Sequence, residues 1–135
     1  PYAIGAKAAL PDKKVILVVG DGSLGFHAPE IDTSVRHNLP VTVVVGNNSL
    51  WGIDYWIQKG LYERDVWTKL DQTNYELVAK GFGAEGLLVA NPELLINEIK
   101  KSLNSNKMTI LNTIVRKISS PVADAAVTRK LGTHG

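Results

Sequence analysis

The chain has 135 residues, 44% hydrophobic and 21% charged, with a formal net charge of +2. That allows one domain with its own core, and the scattered, nearly balanced charge argues against nucleic acid or a membrane surface as the main partner. There is no cysteine, which excludes disulfides and thiolate metal sites, and no apolar run approaches the roughly 20 residues of a membrane span or has the pattern of a signal peptide.

A reducing, cytoplasmic setting is the simplest expectation. The alanine-rich stretch 1–10 reads as a helix stopped by Pro11-Asp12, with side chains small enough to pack closely on a sheet. VILVV (15–19) is a short unbroken apolar run and is expected to be a strand buried on both faces. Residues 28–38 read as a helix with Ile31 and Val35 on one face, ended before Leu39-Pro40. VTVVV (41–45) is a second β-branched strand, closed by Gly46-Asn47-Asn48.

Ser49 to Asp71 carries Trp51, Tyr55, Trp56, Tyr62 and Trp67, five of the nine aromatics. It reads as a long loop with a helical turn or two, its aromatics serving the core or a subunit contact before a substrate. Thr73-x-x-Glu76 has the form of a capping box, and its helix should end at Gly81. LLV (87–89) reads as a brief strand. Asn91-Pro92-Glu93 is a strong helix start, with a capping side chain, proline in the first turn and an acid near the positive end. Leu94, Leu95, Ile99 and Leu103 are expected on the core face of that helix. TILNTIV (109–115) is the last strand, and the tail from Ser119 is expected to be a loosely held strap.

Strands separated by helices imply an α/β fold of three αβα layers around a mostly parallel central sheet. The expected organisation is one domain over 1–118 followed by a C-terminal tail, 119–135. In such sheets ligands sit at the carboxyl ends of the strands. Gly20-Asp21-Gly22 and Gly46-Asn47-Asn48 both lie there and are read as one site.

Gly20-Asp21-Gly22-Ser23-Leu24-Gly25 also fits the dinucleotide fingerprint G-x-G-x-x-G. That fingerprint wants an acid at the end of the second strand to take the ribose hydroxyls, and here the strand ends in Gly46-Asn47-Asn48. Glu30 and Asp32 come too early, and Asp54 comes after the strand. A hard cation makes better use of Asp21. Mg²⁺ takes oxygen ligands, usually one or two from protein and the rest from phosphate and water. Asp21 offers a carboxylate, Asn48 an amide oxygen, and a backbone carbonyl just beyond a third. The glycines let the backbone approach, Ser23 can donate its hydroxyl, and amides at the following helix start can face phosphate.

GDG, then 24 residues, then Asn47-Asn48 resembles the thiamine diphosphate motif of the acetolactate synthase and pyruvate decarboxylase superfamily. The likeness extends to 3–9, 30–36, 38–41, Phe82-Gly83-Ala84 and TILNTIV, nearly the whole chain to about Lys117. Trp51-Gly52-Ile53, with Trp56, Gln58, Tyr62 and Arg64, is most similar to acetolactate synthases and related carboligases. The resemblance implies that Asp21, the Asn48 side chain and the backbone oxygen of Leu50 are Mg²⁺ ligands. It places Gly20, Gly22, Ser23 and the amides around Leu50 and Trp51 at the diphosphate, and gives Asn47 the shaping of the turn.

The resemblance covers only the diphosphate-binding domain. It implies a partner, the pyrimidine-binding domain of the same enzyme, usually from a second subunit of a homo-oligomer, which carries the activating glutamate. No catalytic residue is assigned within this chain. Pro1 falls just after the family's glycine-rich loop, so the chain reads as a fragment of a larger enzyme, inactive alone, that decarboxylates a small 2-oxo acid and protonates or couples the product. A flavin (FAD) is possible in the parent enzyme but not on this chain. The competing readings are a different thiamine diphosphate-dependent decarboxylase or lyase, of benzoylformate or 2-hydroxyacyl-CoA type, and a non-catalytic α/β subunit that keeps the fold. His27 and His37 read as surface or capping residues, and Glu30 as an anchor for its helix.

Overall fold

The computed structural model describes residues 1–132. Four strands form one wholly parallel sheet: β1 (Ile16–Gly20), β2 (Thr42–Asn47), β3 (Glu85–Val89) and β4 (Thr109–Ile114), in the spatial order β1-β2-β4-β3. Chain order and spatial order differ because β4 returns between β2 and β3. The switch leaves β2 and β4 central, and these carry the fully buried Val43, Val45, Ile110 and Leu111. Each such aliphatic side chain contributes about 1.5–3 kcal/mol when removed from water.

Pleating separates the two faces. Leu17, Val19, Val43, Val45 and Ile110 meet Leu24 of α2 (Asp21–Gly25), Ile31 of α3 (Glu30–Arg36) and Tyr75 and Ala79 of α5 (Tyr75–Gly81). On the other face Val44, Val89 and Leu111 meet Leu95 and Ile99 of α6 (Pro92–Asn104). The sheet is therefore the middle of three layers, as expected. At Gly86 on β3 the α5 backbone comes very close: an added Cβ there would stand 2.0 Å from the Glu76 carbonyl oxygen.

β1 differs from expectation. It is an edge strand whose burial alternates, and Val18 is 76% exposed on the face that α6 covers only farther along the sheet. Its neighbour α1 (Tyr2–Ala9) ends in a turn clasped by the buried Lys7, whose Nζ donates to the carbonyls of Pro11 at 2.6 Å and Lys13 at 2.8 Å. Leu94 also departs from its expected role: it is exposed, while Leu95 and Ile99 pack against the core.

Two segments are more regular than the sequence implies. The aromatic-rich stretch contains α4 (Gly52–Tyr62), an 11-residue helix closed by Glu63 in the left-handed conformation at φ 55°. The tail contains α7 (Pro121–Gly132) rather than a strap, and residues 133–135 lie outside the described residues. The two helices pack on each other where Gly60 admits Val127: a Cβ at position 60 would lie 2.6 Å from a Val127 methyl. Lys130 adds a cation–π contact, 5.7 Å from the Tyr62 ring centroid.

The capping predictions split. Asn91 Oδ1 accepts from the Glu93 amide at 2.9 Å, with Pro92 in the first turn. The Thr73–Glu76 box does not form, because Asn112 on β4 takes the Glu76 carboxylate instead, at 2.6 Å. Among the described residues no helix is long and apolar enough to cross a membrane.

Candidate functional site at two strand tips

Gly20 and Gly46 are register partners at the carboxyl ends of β1 and β2. The pairing brings Asp21 and Asn48, 27 positions apart in sequence, to one cavity of about 440 Å³. Gly20, Ser23, Gly46, Leu50 and Trp51 share its wall, and Gly22 lies against it through the Trp51 indole. The structure thus gathers every residue singled out for metal or phosphate. It adds Gly52, Ile53, Asp54, Ile118 and Ser120, which sequence reasoning missed because α4 and the segment before α7 read as loop.

Asp21 opens α2, and Gly20 before it is extended at φ −77°, ψ 159°. Asp21 is 3% exposed, and its Oδ2 is buried with no hydrogen-bond partner. A buried, unpartnered carboxylate oxygen is costly. It fits a group that arrives from outside, and a divalent cation is one that would supply the missing partner.

The two asparagines divide the work. Asn47 is buried: its Nδ2 donates to the Thr73 carbonyl at 3.0 Å and to Asn112 Oδ1 at 3.1 Å, and its Oδ1 accepts from the Ser49 amide at 3.3 Å. With Ser49 at φ 56°, these bonds set the turn. Asn48 lines the cavity, and its Oδ1 accepts one bond, from the Leu50 amide at 3.1 Å. An amide oxygen has two lone pairs, which leaves capacity for a cation.

The Leu50 segment is strapped by Thr68–Leu70. The Trp51 amide donates to the Thr68 carbonyl at 2.8 Å and the Leu70 amide to the Ser49 carbonyl at 2.9 Å. The amides of Leu50 and Trp51, expected to face phosphate, are thus both engaged within the chain. The Trp51 indole covers Gly22, where a Cβ would stand 3.0 Å from the ring, and it packs on Phe26 at 5.2 Å.

Tyr75 is a second feature with no local sequence signal. Its hydroxyl donates to the Asp21 carbonyl at 2.8 Å across 54 residues. Burial, then the neighbouring Asp21 charge, raises its pKa above the ordinary phenol value, while the hydrogen bond with Thr73 works the other way. His27 is exposed and lies with Ser23 and Glu30 on a separate, mainly apolar cavity of about 250 Å³.

The electrostatics of the main cavity are one-sided. Two carboxylates, Asp21 and Asp54, line it, and no lysine or arginine does. Among the described residues there is no cluster of three or more His, Cys, Asp or Glu that could hold a metal alone. A cation entering with an anionic ligand would offset the repulsion from these two carboxylates.

Residues 1–113 match the family model for thiamine pyrophosphate enzyme, C-terminal TPP binding domain. A probable acetolactate synthase of Mycobacterium bovis is 37% identical over 114 residues, 84% of this chain and 21% of that protein. The 2-hydroxyacyl-CoA lyase 2 of Danio rerio is 35% identical over 121 residues, 86% of this chain and 20% of that protein. A solved thiamine diphosphate-dependent 4-hydroxybenzoylformate decarboxylase of Rhodococcus jostii matches with a TM-score of 0.77 at 26% identity, over 87% of this chain and 22% of that one. The chain spans about a fifth of the length of the relatives it matches.

Proposed function

The chain belongs to the family of C-terminal TPP-binding domains of thiamine pyrophosphate enzymes, and from that premise we propose that it holds the cofactor's diphosphate through Mg²⁺. Asp21, the Asn48 amide oxygen and the Leu50 carbonyl are the protein ligands in this reading. The observation that carries it is Asp21 Oδ2, buried without a partner, on a residue that lines one cavity with Asn48, where among the described residues no lysine or arginine stands on the wall. Mg²⁺ characteristically takes one or two carboxylates from protein and the remainder from phosphate and water, which suits so small a donor set. Gly20 and Gly22 let the diphosphate approach the backbone, Ser23 offers a hydroxyl, and Trp51 closes the side of the groove.

Bound here, thiamine diphosphate supplies an electron sink for cleaving the bond between the carbonyl and carboxylate carbons of a 2-oxo acid. This chain orients the charged tail and supplies no proton-transfer group. The glutamate that activates the cofactor belongs to a pyrimidine-binding domain, across a subunit contact in a homo-oligomer, and the chain alone is inactive. The domain is residues 1–118, with the segment 119–135 following it. Acetolactate synthase-like carboligation is the first reading of the parent activity. A 2-hydroxyacyl-CoA lyase-type activity is a second, favoured by the comparable identity to that relative.

The test is an NMR titration of the chain with thiamine diphosphate, with and without Mg²⁺. The expected result is metal-dependent shifts at Gly22 and at the Asn48 side-chain amide, absent in Asp21→Ala. Binding indifferent to metal and to that substitution, or saturable binding of NAD in its place, overturns the reading.

A further inference from the structure

A single cation shared by two strand tips requires that both tips be held at a fixed separation. Both are tied to the same turn of chain. At the β1 tip, the Tyr75 hydroxyl donates to the Asp21 carbonyl at 2.8 Å. At the β2 tip, Asn47 donates to the Thr73 carbonyl at 3.0 Å, and Asn112 of the neighbouring β4 donates to the same oxygen at 3.4 Å. The Tyr75 amide closes the turn by donating to that same Thr73 carbonyl at 3.0 Å.

Space is reserved for the phenol. Tyr75 is 7% exposed, and a Cβ on Gly25 would come within 3.1 Å of its hydroxyl. Asp21 Oδ2 has no hydrogen bond of its own, and the Tyr75 hydroxyl reaches the Asp21 main chain from inside the fold.

Building on the metal site proposed above, we propose that Tyr75 is a positioning residue for the cation. Its hydroxyl locks the Asp21 backbone to the turn that also braces Asn47, and so sets the separation of the carboxylate at 21 from the amide at 48. It touches neither metal nor cofactor. Removing the hydroxyl leaves every ligand in place and loosens the spacing between them, so the metal binds less tightly to a protein that is still folded.

The experiment uses the NMR titration with magnesium thiamine diphosphate, at a temperature well below unfolding, on the wild-type chain and on Tyr75→Phe, Gly25→Ala and Val44→Ala. Val44 packs on the opposite face of the sheet, against α6, and controls for lost stability alone. Tyr75→Phe is expected to raise the Kd three- to tenfold, and Gly25→Ala to raise it by crowding the phenol, while Val44→Ala lowers the unfolding midpoint and leaves the Kd unchanged. An unchanged Kd in folded Tyr75→Phe overturns the positioning role, as does an equal weakening in Val44→Ala. If Tyr75→Phe does not fold, Gly25→Ala decides by the same criterion. A wild-type chain with no metal-dependent shift removes the site reading, and this inference with it.

Discussion

Gly86 on β3 lies directly beneath the main-chain carbonyl of Glu76 on α5, so close that a Cβ would come within 2.0 Å of the oxygen and 2.7 Å of the carbon. Backbone cannot give way as a flexible side chain can. Gly86→Ala must therefore lift α5 from the sheet, and with it the turn that meets both strand tips. Overpacking of this kind costs typically 1–3 kcal/mol, and contact with backbone places it at or above about 3 kcal/mol. Urea unfolding of the variant measures it, and a loss below about 1 kcal/mol would show that the helix is not held where it stands.

Asp21→Ala separates stability from binding. In the metal-free chain it removes a buried oxygen that has no partner, so unfolding free energy is expected to hold or to rise by up to about 1 kcal/mol. With ligand the order reverses. Saturation at a hundredfold excess over Kd adds about 2.7 kcal/mol to the wild type and nothing to the variant. Thermal unfolding with and without magnesium thiamine diphosphate reads both halves. A variant that is clearly less stable without ligand would mean that the carboxylate has a structural role instead.

The contact of Gly60 with Val127 joins the two helices that the sequence hid. A methyl group at 60 would stand 2.6 Å from one Val127 methyl and 2.8 Å from the other. Gly60→Ala is expected to cost about 1–2 kcal/mol and to speed hydrogen exchange through α7 while β2 and β4 keep their protection. Adding Val127→Ala relieves the clash. If the double variant exchanges as fast as the single one, something other than this contact docks α7.

Tyr75 gives an alkaline signature. Its pKa is raised in the folded state, first by burial and then by the Asp21 charge, with the Thr73 hydrogen bond opposing. A raised value means that folding favours the protonated phenol. That contribution is complete below the ordinary phenol value of 10.0 and is lost as pH rises through the folded one. The stability gap between wild type and Tyr75→Phe should be flat up to about pH 9 and narrow above it. A gap that widens with alkali reverses the sign and refutes the assignment.

Much of this was legible because local chemistry and global fold agreed. Val43 and Val45 are β-branched in a central strand, Asn91-Pro92 caps a helix by its own side chain, and the two glycine-flanked tips fall at one edge of a parallel sheet. The family and the αβα architecture followed from those. What failed to show depended on partners distant in sequence. Val18 reads as core but sits on an edge strand whose outer face α6 does not reach. Thr73 and Glu76 read as a capping box, yet Asn112 claims the carboxylate. α4 and α7 hide behind glycine, aromatic and tail composition because each finds its packing surface in the other. Tyr75 has no motif at all, since its partner is a carbonyl 54 residues away.

Asn47 and Asn48 are identical neighbours with opposite expected phenotypes. Asn47 is 1% exposed and bonded to Thr73, Asn112 and Ser49, so truncation strands several buried groups at once. Asn47→Ala is expected to cost about 3 kcal/mol and to disturb the whole turn. Asn48 faces the cavity and makes a single bond, to the Leu50 amide. Asn48→Ala should cost less than about 1 kcal/mol, yet weaken magnesium-dependent binding of thiamine diphosphate at least tenfold. The two are distinguished by plotting affinity against unfolding free energy for both. If Asn48→Ala keeps wild-type affinity while Asn47→Ala loses it in proportion to stability, then neither amide meets the metal, and the cation is held without the Asn48 side chain.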